Sequence, residues 1–135
     1  MRIEDVAGKI DVDATVKAVA LGRIGLGVGY SLTPTLALRA WPGRPASTAG
    51  DAALLRMMAR STGGRDIGLG LGALLALKHG GSVRGWLEAA MLADVADAVA
   101  ILVAFKHLRR PRAVLMLAAA LGTAAAGQRL ARAVG

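Results

Sequence analysis

Four apolar stretches, each near the length that crosses a bilayer, recur along 135 residues, and each is interrupted or flanked by charge, glycine or proline. About 30 Å of hydrocarbon takes about 20 helical residues at about 1.5 Å each. The stretches at 18–38, 58–78, 86–105 and 113–130 approach that length. The second depends on residues before Ile67, because its apolar core at 67–77 is too short to span alone. Hydrophobic residues make up 55% of the chain and the mean hydropathy is +0.52, too apolar for a solvated chain or a small soluble domain. The expected fold is all-α: a polytopic membrane protein, a four-helix transmembrane bundle forming one domain over 1–135.

Residues 1–16 place Ile3, Val6 and Ile10 at helical spacing opposite acidic side chains, which suits either an N-terminal interfacial helix or a polar tail. Glu4, Asp5, Asp11 and Asp13 precede any long apolar run, unlike the basic start of a cleaved signal peptide, so this segment is expected to be retained. Pro34 should kink the first span. Ser47 or Thr48 should cap the second helix after the turn at 42–45, and Gly63-Gly64 leaves open one long helix or an interfacial helix followed by a short span.

Seventeen Lys and Arg against nine Asp and Glu give a net charge of +8. The cations gather at the ends of apolar runs, as in 106–112, where they meet lipid headgroups. With aromatics at 3% and no basic helix face interleaved with them, nucleic acid is not an expected partner; the lipid bilayer is. The links after the first and third spans hold Arg39, Arg44, Arg56, Arg60, Lys106, Arg109, Arg110 and Arg112. Against these eight stand seven on the other side, Arg2, Lys9, Lys17, Lys78, Arg84, Arg129 and Arg132, so charge bias gives no orientation.

The absence of cysteine excludes disulfides and thiolate chemistry. No P-loop, zinc spacing or Ser-His-Asp set occurs, so no cofactor and no metal site is expected, and His79 and His107 at span ends read as headgroup-level or loop residues. Gly-Leu-Gly-Val-Gly at 25–29 lies inside an apolar span with no strand before it, which excludes a nucleotide loop. The pairs Gly25/Gly29 and Gly68/Gly72 are instead helix-packing faces, directed at a neighbour in the same chain or in a homo-oligomeric or membrane partner.

Charge inside a span costs about 2.5 to 3.5 kcal/mol per residue on insertion scales, so Arg23, Arg65, Asp66, Asp94 and Asp97 need compensation. Antiparallel neighbours bring Arg23 and Arg65 to depths near Asp94 and Asp97, which share one helix face, while Glu88 points away toward water. Two uses of this cluster stand open. It is a lattice that locks the helices, or it lines a cavity in which Asp94 or Asp97, kept from double ionisation, serves as acid, proton carrier or cation ligand.

The span-embedded Arg23 with its glycines, the string Gly64-Arg65-Asp66-Ile67-Gly68 and Asp94 resemble small four-helix bacterial membrane proteins, broadly DoxX-like, over about residues 16–130. The resemblance implies a four-helix bundle in the bacterial cytoplasmic membrane and no established reaction. The leading expectation is a non-enzymatic membrane protein that binds a lipid-like or apolar small molecule or acts as an accessory subunit. Its alternatives are an intramembrane acid-base enzyme, such as an isomerase, cyclase or epoxide-opening enzyme using Asp94 or Asp97, and a proton-coupled small transporter.

Overall fold

A computed structural model describes the backbone of residues 3–135 and the side chains from Asp11 onward; the side chains of Ile3, Val6 and Ile10 lie outside the described set. The chain is all-α, with no strand among the described residues. Helix α1 spans Ile3–Leu32, α2 is the single turn Pro34–Ala37, α3 spans Ala49–His79, α4 spans Val83–Ala104 and α5 spans Arg110–Ala133. A 3-10 turn, Phe105–His107, follows α4.

Local chemistry sets each boundary. Helix α1 stops at Leu32, before the proline: Pro34 has no amide hydrogen and pushes Thr33 out of the helical region, to φ −122° and ψ 54°. Pro34 then opens α2, where an amide donor is not needed. Helix α3 begins in a capping box. The Thr48 hydroxyl accepts from the Asp51 amide at 3.0 Å, and the Asp51 carboxylate accepts from the Thr48 amide at 3.1 Å and the Ser47 hydroxyl at 2.7 Å. Helix α3 then runs unbroken through Gly63-Gly64 and ends at Gly80, whose φ of 68° is the left-handed geometry that glycine adopts without a Cβ clash.

Two helix pairs make the body. Helix α1 lies along α3 and α4 lies along α5; α3 and α4 join the pairs along a shorter stretch. Among the described residues, α1 and α4 have no close backbone contact. At one end Val16 of α1, Leu87 of α4 and Ala131 of α5 form a small apolar cluster. At the other, the Arg109 amide donates to the Pro42 carbonyl at 2.8 Å, tying the α4–α5 connection to the loop before α3.

The approach of α1 to α3 uses different glycines from those expected. A Cβ on Gly27 would stand 2.5 Å from the Gly63 carbonyl oxygen, one on Gly63 2.5 Å from the Gly27 carbonyl oxygen, and one on Gly70 2.6 Å from that of Ala20. At Gly25, Gly29 and Gly68 an added Cβ meets nothing within 4 Å among the described residues, so of the two uses expected for them packing inside the chain is not the one seen. Gly72 does sit in a contact, against the Trp86 ring on α4. The seam is displaced because α1 turns Arg23, and with it Gly27 four residues on, toward α3.

Burial is the reverse of a water-soluble core. Ten apolar side chains are buried among the described residues, and eight of them are alanine; the buried charged residues are Asp66 and Asp94. Leu21, Leu26, Leu32, Leu92, Val99 and Val103 instead face outward. Helix α5, Arg110–Ala133, is the one described helix long and apolar enough by itself to cross a membrane.

Candidate functional site

The five charged residues singled out in the sequence meet where the two helix pairs join. Arg23 of α1 donates through Nη1 to Asp66 Oδ1 on α3 at 3.1 Å, and through Nη2 to Asp94 Oδ2 on α4. Arg65 of α3 holds Asp97 of α4 in a two-pronged pair, Nη1 to Oδ1 at 2.9 Å and Nη2 to Oδ2 at 2.8 Å. Its Nη2 also lies 3.4 Å from Asp66 Oδ1. Two guanidiniums therefore serve three carboxylates, with Asp66 shared between them.

Helical periodicity positions these groups. Asp94 and Asp97, three residues apart, share the face of α4 turned toward α3. Arg65 and Asp66 are neighbours in sequence, so their side chains diverge by about 100° around α3. Asp66 thereby faces α1 and Arg65 faces α4. Exposure falls steeply across the cluster: the Arg23, Asp66 and Asp94 side chains are 14%, 11% and 9% exposed, while that of Asp97 is 44%. The Arg65 Nε is buried without an acceptor. Glu88 stands apart, paired with Arg84 one turn earlier at 2.7 Å and half-exposed.

Two open concavities among the described residues lie at opposite ends of the helices, and no member of the charge cluster lines either. One, of about 740 Å³, lies between the α3–α4 turn and residues of the N- and C-terminal segments such as Asp13 and Val134. The other, of about 490 Å³, is walled by α2, the loop before α3, the start of α3 and the α4–α5 connection. Arg39, Arg44, Arg56, Arg109 and Arg112 line it together with Trp41. Trp41 tilts against Tyr30, ring centroids 6.4 Å apart, and its indole Nε1 is buried without an acceptor.

This convergence was missed in the sequence, where the same arginines served only to weigh orientation. The signal that could have found it is that the links after the first and third spans must emerge on one side. The hydrogen bond from Arg109 to Pro42 brings them into one wall.

His79 rests its ring nitrogen 3.0 Å from the Leu75 carbonyl, and His107 is exposed in the 3-10 turn. No group of three or more His, Asp or Glu side chains among the described residues is placed to hold a metal ion. No family model, curated protein or solved structure matches the chain.

Proposed function

We propose that this chain is a small integral membrane protein whose four long helices span the bilayer and which binds a lipid-like or apolar molecule, as a carrier or as an accessory membrane subunit. One observation supports this reading above the others: alanine, glycine and paired charge fill the interior while leucine and valine point outward. In water that arrangement exposes the wrong surface; in lipid, small residues let backbones approach and large apolar residues meet acyl chains. The aromatics fit the same frame. Trp86 stands near the start of α4 and Phe105 at its end, about 28 Å apart at about 1.5 Å per residue, the thickness of a hydrocarbon core.

Helices α1, α3 and α4 carry charge within their lengths whereas α5 carries it only at its two ends, and most of it has a place in this frame. Arg23 and Arg65 pair with Asp66, Asp94 and Asp97, while Arg84, Glu88, Lys78 and Arg56 lie toward helix ends. The cluster then serves as a fastening between helix pairs, and ligand contact belongs to the cavities at the ends.

Membrane fractionation tests the placement. The protein should stay in the pellet after alkaline carbonate and require detergent for release. Organic extraction of the detergent-purified chain should then yield a stoichiometric lipid-like molecule. Release by carbonate sinks the membrane reading, and an empty extract sinks the ligand reading.

A second reading draws on the inequality of charge, three carboxylates against two guanidiniums. Acid-base or proton-coupled activity would use Asp97, the most exposed of the three. It requires flux driven by a pH gradient in liposomes, or turnover of an apolar substrate, lost in Asp97→Asn.

A further inference from the structure

The arginine-lined cavity at the end formed by α2 and the α4–α5 connection carries a more specific assignment, which rests on the membrane reading above. We propose that it is a headgroup site for an anionic phospholipid, with the phosphate held by Arg39, Arg109 and Arg112 and the glycerol end against Trp41.

Charge is the first argument. Five arginines line about 490 Å³, and no acidic residue lines it. None of the five has a carboxylate within salt-bridge distance among the described residues, whereas Arg23, Arg65 and Arg84 all do. The nearest acid in sequence, Asp51, is occupied by Ser47 and Thr48 in the α3 cap. Five like charges drawn to one concavity repel one another unless an anion joins them. Guanidinium groups also match phosphate oxygens in a fork that a lysine cannot offer.

Shape and depth are the second. Leu38, Leu55 and Ala52 line it together with the arginines, so the cavity offers apolar as well as cationic contacts. A free inorganic anion needs no apolar wall; a lipid headgroup with its first methylenes does. Trp41 beside Tyr30 marks the interfacial level where such a headgroup lies. The buried indole N–H of Trp41 is a donor that the protein leaves without an acceptor. The opposite cavity contrasts with this one: Asp13 and Arg84 both line it.

The test titrates the full chain, in mixed detergent micelles, with dioleoylphosphatidylglycerol, with dioleoylphosphatidylcholine, or with inorganic phosphate, and counts bound molecules by native mass spectrometry. Phosphatidylglycerol should bind saturably and more tightly than phosphatidylcholine. Each exposed arginine removed should weaken it about fivefold, so Arg39→Gln with Arg109→Gln and Arg112→Gln should weaken it about a hundredfold. Lys78→Gln with Arg129→Gln and Arg132→Gln, at the far end, should leave it unchanged. Equal binding of the two lipids, or binding insensitive to the first triple variant, overturns the proposal. So does inorganic phosphate that competes at the lipid's own concentration, which would make this a site for soluble phosphate compounds. Carbonate extraction of the same preparations separates the two levels: a chain that stays in the pellet but shows no lipid preference loses the headgroup site and keeps the membrane reading, and a chain that is released loses both.

Discussion

Arg23 on α1 and Asp94 on α4, 71 positions apart, are joined side chain to side chain although the backbones of their helices do not approach. The guanidinium reaches past α3 and takes Asp66 on the way. One side chain therefore links the α1/α3 pair to the α4/α5 pair, and the groups it holds are nearly removed from solvent.

Arg23→Gln should follow directly from that geometry. Removing one partner of a buried pair leaves the other charge uncompensated, at a cost of about 3–5 kcal/mol. Here two carboxylates lose their shared partner. The variant is expected to unfold at markedly lower denaturant in detergent, with the α1/α3 contact persisting longer than the α3/α4 contact. Disulfide crosslinks placed across each seam would read that order, and simultaneous loss of both seams would contradict it.

Asp94→Asn and Asp97→Asn should not be equivalent. Asp94 is 9% exposed and its loss strands a buried guanidinium arm between the helix pairs, whereas Asp97 is 44% exposed at the margin and its partner Arg65 keeps Asp66 3.4 Å from Nη2, so Asp97→Asn should cost less. Thermal unfolding of the two variants in one detergent should separate them clearly. Equal losses would mean that Asp97 is buried by something outside this chain, such as a second copy.

The cluster was legible because ionisable residues inside apolar runs must find partners, and helical spacing restricts who those can be. A cap at Ser47 or Thr48 and a disturbance at Pro34 were legible for the same kind of reason, since each acts within a turn of its own position, although the expected kink is in fact a stop at Leu32. The glycine seam was not. Gly25 and Gly27 differ by two residues, about 200° around a helix, and only the position of α3 decides which one faces inward. The arginine cavity was hidden for a related reason, since it joins residues 39 and 112 through the fold of two connections.

Gly27→Ala and Gly63→Ala should destabilise the α1/α3 seam, because each new Cβ would stand 2.5 Å from backbone oxygen across it. Gly25→Ala and Gly68→Ala meet open space and should be neutral, or stabilising by about 0.5–1 kcal/mol through helix propensity. Gly72→Ala falls between, because the obstructing Trp86 ring is a side chain at an exposed position and can swing aside. Paired melts of the five variants check the ranking. Harm from Gly25→Ala equal to that from Gly27→Ala would show an intermolecular face at Gly25.

The start of α3 should carry an acid-sensitive element outside the proposed spans. Hydrogen bonds from Ser47 and Thr48 hold the Asp51 carboxyl below its ordinary value of 3.8. A carboxyl whose value is lowered on folding contributes stability that is complete above 3.8 and lost as pH falls through the lower folded value. Protection of the first-turn amides of α3, taken relative to the intrinsic exchange rate at each pH, should fall below pH 4 in the wild type. Asp51→Asn should show faster exchange already at neutral pH and little further change on acidification. Wild-type protection that stays constant down to pH 2 would remove Asp51 from the cap's energetics.

Val99 offers the sharpest discrimination between lipid and water around this fold. It lies on α4, 52% exposed, in a side chain that touches no core cluster. In water, Val99→Arg would be a surface substitution worth within about 0.5 kcal/mol. In a bilayer the same arginine enters hydrocarbon near the middle of a span, where insertion costs about 2.5–3.5 kcal/mol. The expected outcome is a large loss of protein in the membrane pellet, with Arg132→Gln as the tolerated control at a helix end. Arg23 shows why position decides: it is an arginine inside the same helical body, tolerated because Asp66 and Asp94 meet it, and Val99 lies on the exposed surface. An undiminished Val99→Arg yield in carbonate-washed membranes would contradict the spanning assignment of α4.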